Sequence, residues 1–144
     1  MVRRLAPAHE TLEERWLLEA QTARNLDGLA AEQSGQLDEA IALYERNVAE
    51  GFAGDLPYGR LVAIYERRAA FDQAERVLRR AIAVFESSAR RTARDRRAAV
   101  RVFKNRLAAV RKQAAERGPW LKRRGPTVAM GDDGQASVEE VGGG

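Results

Sequence analysis

Two stretches of this chain repeat each other in sequence. LDEAIALYERNV begins at residue 37, and FDQAERVLRRAI begins at residue 71. Superposed, the two stretches match an aspartate, an alanine, an arginine and four apolar positions, namely Asp38 with Asp72, Ala40 with Ala74, Arg46 with Arg80, Leu37 with Phe71, Leu43 with Val77, Tyr44 with Leu78 and Val48 with Ile82. Similarity at such a period, about 34 residues, is typical of helical repeats, in which each unit packs on the next. The sequence therefore predicts a repeated packing unit.

The first predicted helix begins at a capping signal. Thr11 and Glu14 have the spacing of a capping box, in which each side chain accepts a hydrogen bond from the other residue's backbone N–H. SGQ at 34–36 would end this helix, because Gly35 can adopt the left-handed conformation that helix ends favour. Apolar residues at spacings of three and four predict a buried stripe made of Leu12, Trp16, Ala20, Ala23, Leu26 and Ala30.

Three further helices follow at short intervals. The second is expected to begin at Asp38 and to end at GFAGD, residues 51–55. Asp55 can cap the third helix, where Pro57 suits the first turn, and Asp72 opens the fourth. The predicted buried positions of these helices are Ala40, Ile41, Tyr44 and Val48, then Tyr58, Leu61, Val62 and Tyr65, then Ala74, Val77, Leu78, Ala81, Ile82 and Phe85. The composition supports an all-α fold, since aromatics form only 6% of the chain and helix-favouring residues dominate.

This pattern resembles a tetratricopeptide repeat, whose unit is about 34 residues long. Tyr58, Leu61, Val62 and Tyr65 match the family's first-helix positions, and Ala74, Leu78 and Ala81 match its second helix. The first unit matches at Gly28, Gly35, Ala40 and Tyr44, but Arg24 and Asp27 stand where the family has large apolar residues. The resemblance covers residues 35–85. It implies a short right-handed solenoid of about two helical hairpins, with a concave face that binds peptides of partner proteins.

A strongly basic segment follows this body. Residues 89–124 hold 14 lysines and arginines against two acidic residues, whereas residues 1–88 hold 11 against 15. Residues 89–117 are predicted to form one helix that covers the open end of the repeats and stops at Gly118-Pro119. Its apolar seam comprises Ala93, Val100, Phe103, Leu107, Val110 and Ala114. The expected domains are a flexible arm at 1–10, a helical domain at 11–117, and a basic motif with a disordered Gly-rich tail at 118–144.

A cationic stripe runs along one flank of that seam. Extending the register of the repeat places its arginines in the concave groove, beside two arginines of the preceding unit. The predicted anion-binding residues are Arg60, Arg67, Arg90, Arg94, Arg97, Arg101 and Lys104, with Leu56, Tyr58 and Ala63 as the floor. Arg90 and Arg94 match the basic pair of the family's carboxylate clamps. Leu29 and Arg60 replace the asparagines of those clamps, so only an anion-accepting groove is inferred.

Three interpretations of the stripe stay open at this point. It can bind an acidic segment of another protein, it can contact the phosphates of a nucleic acid, or it can be a solvated surface. No aromatic residues alternate with the arginines to stack on bases, which counts against nucleic acid. Self-association through the open face of residues 12–30, giving a homodimer, is compatible with each of these interpretations.

Catalytic and cofactor chemistry find no support in the sequence. The chain has no cysteine and a single histidine, His9, so neither a zinc site nor a histidine-dependent triad can be named. Phosphate-binding glycine motifs are also missing from the sequence. The paired acids Glu13/Glu14 and Asp38/Glu39 suit helix starts. We therefore expect a non-enzymatic adaptor without a cofactor. No apolar run is long enough to span a bilayer, and a cytoplasmic location without membrane attachment is expected.

Overall fold

The computed structural model describes residues 10–124, with side chains for residues 10–117. Within these residues the fold is all-helical and contains no strand. The five helices are α1 (Leu12–Gln33), α2 (Leu37–Ala49), α3 (Leu56–Arg67), α4 (Phe71–Glu86) and α5 (Ala93–Arg124). The predicted arm and the Gly-rich tail, with the side chains of the basic motif, lie outside the described residues. The chain divides after Val110 into two compact units.

The capping box that opens α1 is confirmed. The Glu14 backbone N–H donates to Thr11 Oγ1 at 3.0 Å, and the Thr11 N–H donates to Glu14 Oε1 at 3.2 Å. Helices α2, α3 and α4 begin differently, since Gln36, Asp55 and Ala70 occupy their N-cap positions without a side-chain capping bond. The prediction that Asp55 caps α3 is therefore wrong, whereas Pro57 lies in the first turn as expected. Asp38 and Asp72 lie inside the first turns of α2 and α4, where a negative charge favours the helix dipole.

The turns after α1 and α3 occupy equivalent positions of the repeat and share one geometry. Gly35 and Ala69 both adopt a positive φ, of 77° and 56°. After each, the next N–H donates back into the preceding helix at 2.8 Å, from Gln36 to the Ala31 carbonyl and from Ala70 to the Tyr65 carbonyl. These bonds satisfy carbonyls that a helix end leaves unpaired. The repeated sequence thus corresponds to a repeated turn, and consecutive helices pack as the pairs α1 with α2 and α3 with α4.

The predicted core of α2, α3 and α4 is largely confirmed. The fully buried side chains of this core include Tyr44, Tyr58, Leu61 and Val77. Ile41 and Ile82 are only half-buried. Burying a large aliphatic or aromatic side chain stabilises a fold by about 1.5–3 kcal/mol, so each of these side chains contributes on that order.

The predicted buried stripe of α1 is wrong. Leu12, Trp16 and Leu26 are each 62% exposed, and the buried residues of this helix are Gln21, Asn25, Gly28 and Ala31. These polar groups have partners at α2, because Asn47 Nδ2 donates to Asn25 Oδ1 and to the backbone carbonyl of Gln21, both at 2.8 Å. The side-chain amide of Gln21 donates to Glu50, the C-cap of α2, at 3.2 Å. Hydrogen bonds to partners on a neighbouring helix make a polar helix face suitable for burial. The apolar face of α1 consequently points outward.

The seam of α5 is confirmed along its middle and differs at its ends. Val100, Phe103, Leu107 and Val110 are buried, while Ala93 is exposed. The Phe103 ring centroid lies 5.0 Å from that of Phe85 and 6.2 Å from that of Tyr58, both with edge-on geometry. Such aromatic contacts add specificity to the burial of apolar area. The seam therefore attaches α5 to both α3 and α4.

The boundaries of α5 also differ from the prediction. The helix begins at Ala93 rather than at residue 89, with Thr92 Oγ1 accepting from the Asp95 N–H at 3.0 Å. Its backbone stays helical through Gly118-Pro119 and ends at Arg124, so the predicted stop is wrong. A proline removes one backbone hydrogen bond and crowds the preceding turn, which can bend a helix without ending it.

The register of the repeat does not extend into α5. One further repeat interval beyond Tyr58 falls at Thr92, and one beyond Leu61 falls at Asp95, and both of these residues are exposed. The first buried residue of α5 is Val100. The change of register occurs in the segment between α4 and α5. Arg96 fixes this segment by donating to the backbone carbonyls of Ser88 and Arg91 at 3.0 and 2.6 Å. The face that α5 turns toward the body is therefore not the one that a third repeat would present.

Candidate functional site

Three of the predicted cations share one cleft. Arg97, Arg101 and Lys104 line a depression of about 580 Å³ along α5. Ala93 and Val100 are the apolar residues that line it, and the remaining lining residues are Arg96, Asn105 and Glu86. At 3.6 residues per turn, positions 97, 101 and 104 lie on one helix face, spread over about 10 Å. We call this depression the α5 cleft.

The cations of the α5 cleft differ from most arginines of the body in having no acidic partner. Within residues 10–117, no hydrogen bond or salt bridge engages the side chains of Arg97, Arg101 and Lys104, all of which are exposed. The same holds for Arg94, which is not among the residues that line the cleft. By contrast, most arginines of the body are paired, for example Arg76 with Glu45, Arg24 with Glu50 and Arg60 with Glu32. A line of unpaired cations leaves a concentrated positive potential that attracts anions. Glu86 is the acidic residue among those lining the cleft.

Arg60 lies in a different environment. Its guanidinium donates two hydrogen bonds to the Glu32 carboxylate of α1, of 2.9 Å from Nε and 2.6 Å from Nη2. Tyr44 Oη donates to the same carboxylate at 2.6 Å. The hydrogen bond from Arg60 is the largest influence on Glu32 and holds the pKa of its carboxyl below its usual range. Burial, followed by the bond to Glu32, raises the pKa of Tyr44. This triad connects three helices, which accounts for Arg60 without an external ligand.

Arg67 and Arg90 lie outside the α5 cleft as well. Arg67 is exposed on α3, and its charge is the smallest of the influences that lower the pKa of Glu32, after the Arg60 hydrogen bond. Arg90 precedes α5, and its Nη2 lies 3.9 Å from Glu14 Oε1 at the start of α1. The seven predicted cations therefore do not line one common cleft; three of them are brought together.

The predicted floor of the groove is also divided. Tyr58 is fully buried, and its Oη donates to the Phe52 carbonyl at 2.7 Å. Burial raises the pKa of Tyr58 to about 12. The expectation that Tyr58 forms an accessible floor is wrong, because its ring belongs to the aromatic cluster under α5. Leu56 and Ala63 are half-buried on α3 and do not line the α5 cleft.

A second cleft lies on the opposite flank of the α5 seam. It measures about 460 Å³ between α3 and α5, and its lining includes Gly59, Val102 and Ala109. Arg106, at its edge, is engaged by Glu66 at 2.9 Å, so its charge is partly neutralised. Helical geometry sets positions 97, 101 and 104 about a third of a turn away from positions 102 and 109 on average. The cationic cleft and the apolar cleft are therefore adjoining surfaces that share Asn105.

Several organising polar contacts gave no signal in the sequence. Arg24 donates to Asn47 at 2.6 Å and to Glu50 at 2.8 Å, and Arg80 donates to the carbonyls of Val48 and Ala49 at 3.0 Å. The hydrogen bond from Arg24 lowers the pKa of Glu50. These pairs join residues on different helices, which the periodicity of one helix cannot reveal. Arg24, which departs from the repeat pattern, is used here to hold α1 on α2.

A metal-binding cluster is not found in the described part of the chain. No group of three or more His, Cys, Asp or Glu residues there could hold a metal ion. His9 lies outside the described residues. None of the helices in residues 10–124 combines the length and apolar composition needed to cross a membrane.

Comparison with protein-family models, with curated proteins and with solved structures finds no match for this chain.

Proposed function

We propose that this protein is a non-enzymatic interaction module that binds an acidic segment of a partner protein in the α5 cleft. In this proposal the helix pairs α1–α2 and α3–α4 are tetratricopeptide-like units of a short right-handed solenoid, and α5 caps its end. The observation that carries the proposal is the set of unpaired cations in the α5 cleft, Arg97, Arg101 and Lys104. Guanidinium groups are well suited to carboxylates, since they bind them with two parallel hydrogen bonds.

The spacing of these cations suits an acidic peptide. Arg97 and Arg101 are separated by about 6 Å along the helix axis. Alternate side chains of an extended peptide point the same way and are about 7 Å apart. Two glutamates at alternate positions can therefore each meet one arginine. Ala93 and Val100 offer apolar contact beside the charges, which a peptide side chain can use.

Protein is favoured over nucleic acid as the partner. Binding of single-stranded nucleic acid commonly relies on exposed aromatic side chains that stack on bases. The aromatic residue of α5 with a described side chain, Phe103, is buried against Tyr58 and Phe85. The α5 cleft therefore offers charge without a stacking surface.

The test compares two labelled probes by fluorescence anisotropy. One is a peptide of about ten residues that alternates glutamate with alanine, and the other is an oligothymidylate of equal charge. The wild-type protein is expected to bind the peptide more tightly than the oligonucleotide. Arg97→Glu/Arg101→Glu should weaken peptide binding at least ten-fold, equivalent to about 1.4 kcal/mol.

The matched control carries the same change in charge on another surface. Arg46→Glu/Arg79→Glu alters two exposed arginines of α2 and α4 and should retain most of the affinity. Glu86→Gln should strengthen peptide binding, because it removes the acid that lines the cleft. An equal loss of peptide affinity in both double variants would mean that only the net charge of the protein matters, which would contradict the α5 cleft as the binding site. Tighter binding of the oligonucleotide than of the peptide by the wild-type protein would replace the proposal with nucleic-acid recognition.

A further inference from the structure

The first turns of α1 extend beyond the helix on which the rest of α1 packs. Every residue from 11 to 20 is exposed, and Gln21 is the first buried position. Gln21 donates to Glu50, which follows the last residue of α2, at 3.2 Å. The preceding turns thus lie past the end of α2.

This projecting part of α1 carries most of the exposed large apolar side chains of the described chain. Leu12 and Trp16 are 62% exposed, Leu17 and Leu18 are 43% and 44% exposed, and Leu26 adds a further 62% on the same helix. Leu12, Trp16 and Leu26 share one face of α1, whereas Leu17 and Leu18 lie about 100° and 160° around the helix from Trp16. With about 150 Å² from Trp16 alone, the exposed apolar area of the shared face is on the order of 400 Å². That is within the range of the largest patch on a typical monomer and about half of the roughly 800 Å² that each partner buries in a stable complex.

We infer that this face of α1 binds the same face of a second copy in an antiparallel helix pair. The four central positions of the outward stripe, Trp16, Ala20, Ala23 and Leu26, read large, small, small, large. That order is the same in both directions, as a two-fold interface requires. A two-fold axis near residues 20–23 sets alanine against alanine, where the helices can approach closely, and sets Trp16 of one copy near Leu26 of the other.

The dimer interface is independent of the proposed peptide site. Cleft residues Arg97, Arg101 and Lys104 belong to α5, whereas the inferred interface uses only α1. A two-fold dimer would present two α5 clefts, and a partner with two acidic segments would then bind with avidity. The oligomeric state can be tested whether or not an acidic peptide binds.

Sedimentation equilibrium of the full chain provides the first test. The wild-type protein is expected at twice its chain mass of 16.0 kDa. Trp16→Glu/Leu26→Glu should weaken the dimer at least ten-fold, because it puts charge into the two apolar contacts that flank the two-fold axis. Val102→Glu is the matched control, since Val102 is 65% exposed on α5, and this variant should stay dimeric. A monomeric wild type, or a dimer that all three proteins share, would overturn the inference.

Cross-linking tests the antiparallel arrangement separately. The natural chain has no cysteine, so a single introduced thiol reports one contact. Ala23→Cys should form a disulfide-linked dimer under mild oxidation, because the two-fold crossing brings both copies of residue 23 within disulfide reach. Ala98→Cys, exposed on α5, should stay largely reduced. Equal cross-linking of the two variants would contradict the proposed interface, and so would the absence of cross-linking at residue 23.

Discussion

Replacing Gly28 with alanine should destabilise the fold, although glycine-to-alanine changes inside helices usually stabilise them. A Cβ at residue 28 would lie 2.4 Å from Tyr44 Cε1 and 2.7 Å from Tyr44 Cζ. The ring cannot easily move away, because Tyr44 is fully buried and its Oη is bound to Glu32 at 2.6 Å. To accept alanine, α1 must separate from α2, or Tyr44 must give up that hydrogen bond.

The magnitude follows from opposing contributions. Overpacking in a core costs about 1–3 kcal/mol, and weakening a hydrogen bond to a carboxylate costs about 1.5–3 kcal/mol when it is lost completely. Better helix propensity offsets about 1 kcal/mol. We expect Gly28→Ala to lower the free energy of unfolding by about 2 kcal/mol.

Gly59 provides the matched control. It lies in α3, and a Cβ added there would meet nothing within 4 Å. Gly59→Ala should therefore stabilise the protein by about 0.5–1 kcal/mol. Urea unfolding followed by circular dichroism at 222 nm gives both values, and the midpoint should fall by about 1–2 M for Gly28→Ala. Equal or increased stability of Gly28→Ala would refute the contact between Gly28 and Tyr44.

Three further predictions concern the packing and the charges of the body. Glu32→Gln should lower the free energy of unfolding at neutral pH, because it removes the charged partner of Arg60. Arg60 lowers the folded-state pKa of Glu32, so the stabilisation that the ionised Glu32 provides is lost as pH falls below about 4. The difference in free energy of unfolding between wild type and variant should therefore narrow in urea titrations at acid pH. Phe103→Ala should cost about 3–5 kcal/mol in urea unfolding, whereas Val102→Ala, on the exposed face, should cost almost nothing. Ala69→Gly should raise the thermal midpoint slightly, because Ala69 has a φ of 56°; an unchanged or lower midpoint would argue against strain there.

Local patterns in the sequence were sufficient to predict the buried residues of α2, α3 and α4. In these helices the residues that repeat at spacings of three and four are also the residues that become buried, as Leu61 and Val77 illustrate. The capping box of Thr11 and Glu14 was readable for the same reason, since both partners lie within one turn. The turn at Gly35 likewise depends on one residue's own conformational freedom.

The errors arose where distant residues decide what is buried. Apolar spacing assigned Trp16 and Leu26 to the core, but α2 presents Asn47 to α1, and amides are buried there instead. A pattern within α1 cannot report a hydrogen bond to a residue of another helix. The sequence of a helix that has both an apolar stripe and a polar face does not show which of the two faces a neighbouring helix will bury.

The candidate site was predicted in part. The spacing of Arg97, Arg101 and Lys104 on one face of α5 is a property of the helix, and it was recoverable from the sequence. Their separation from Arg60 depends on the register of α5 against α3, which the aromatic contacts of Phe103 determine. Counting one more repeat forward from the second unit could not anticipate that shift.

A titration followed by two-dimensional nitrogen NMR tests the proposed binding site most directly. The protein labelled with nitrogen-15 would be titrated with the peptide that alternates glutamate and alanine. We expect the backbone amide shifts to concentrate between Ala93 and Asn105 and at Glu86, with little change in α2. Shifts centred on Arg60 and Arg67, or no shifts at saturating peptide, would contradict the assignment of the α5 cleft as the binding site.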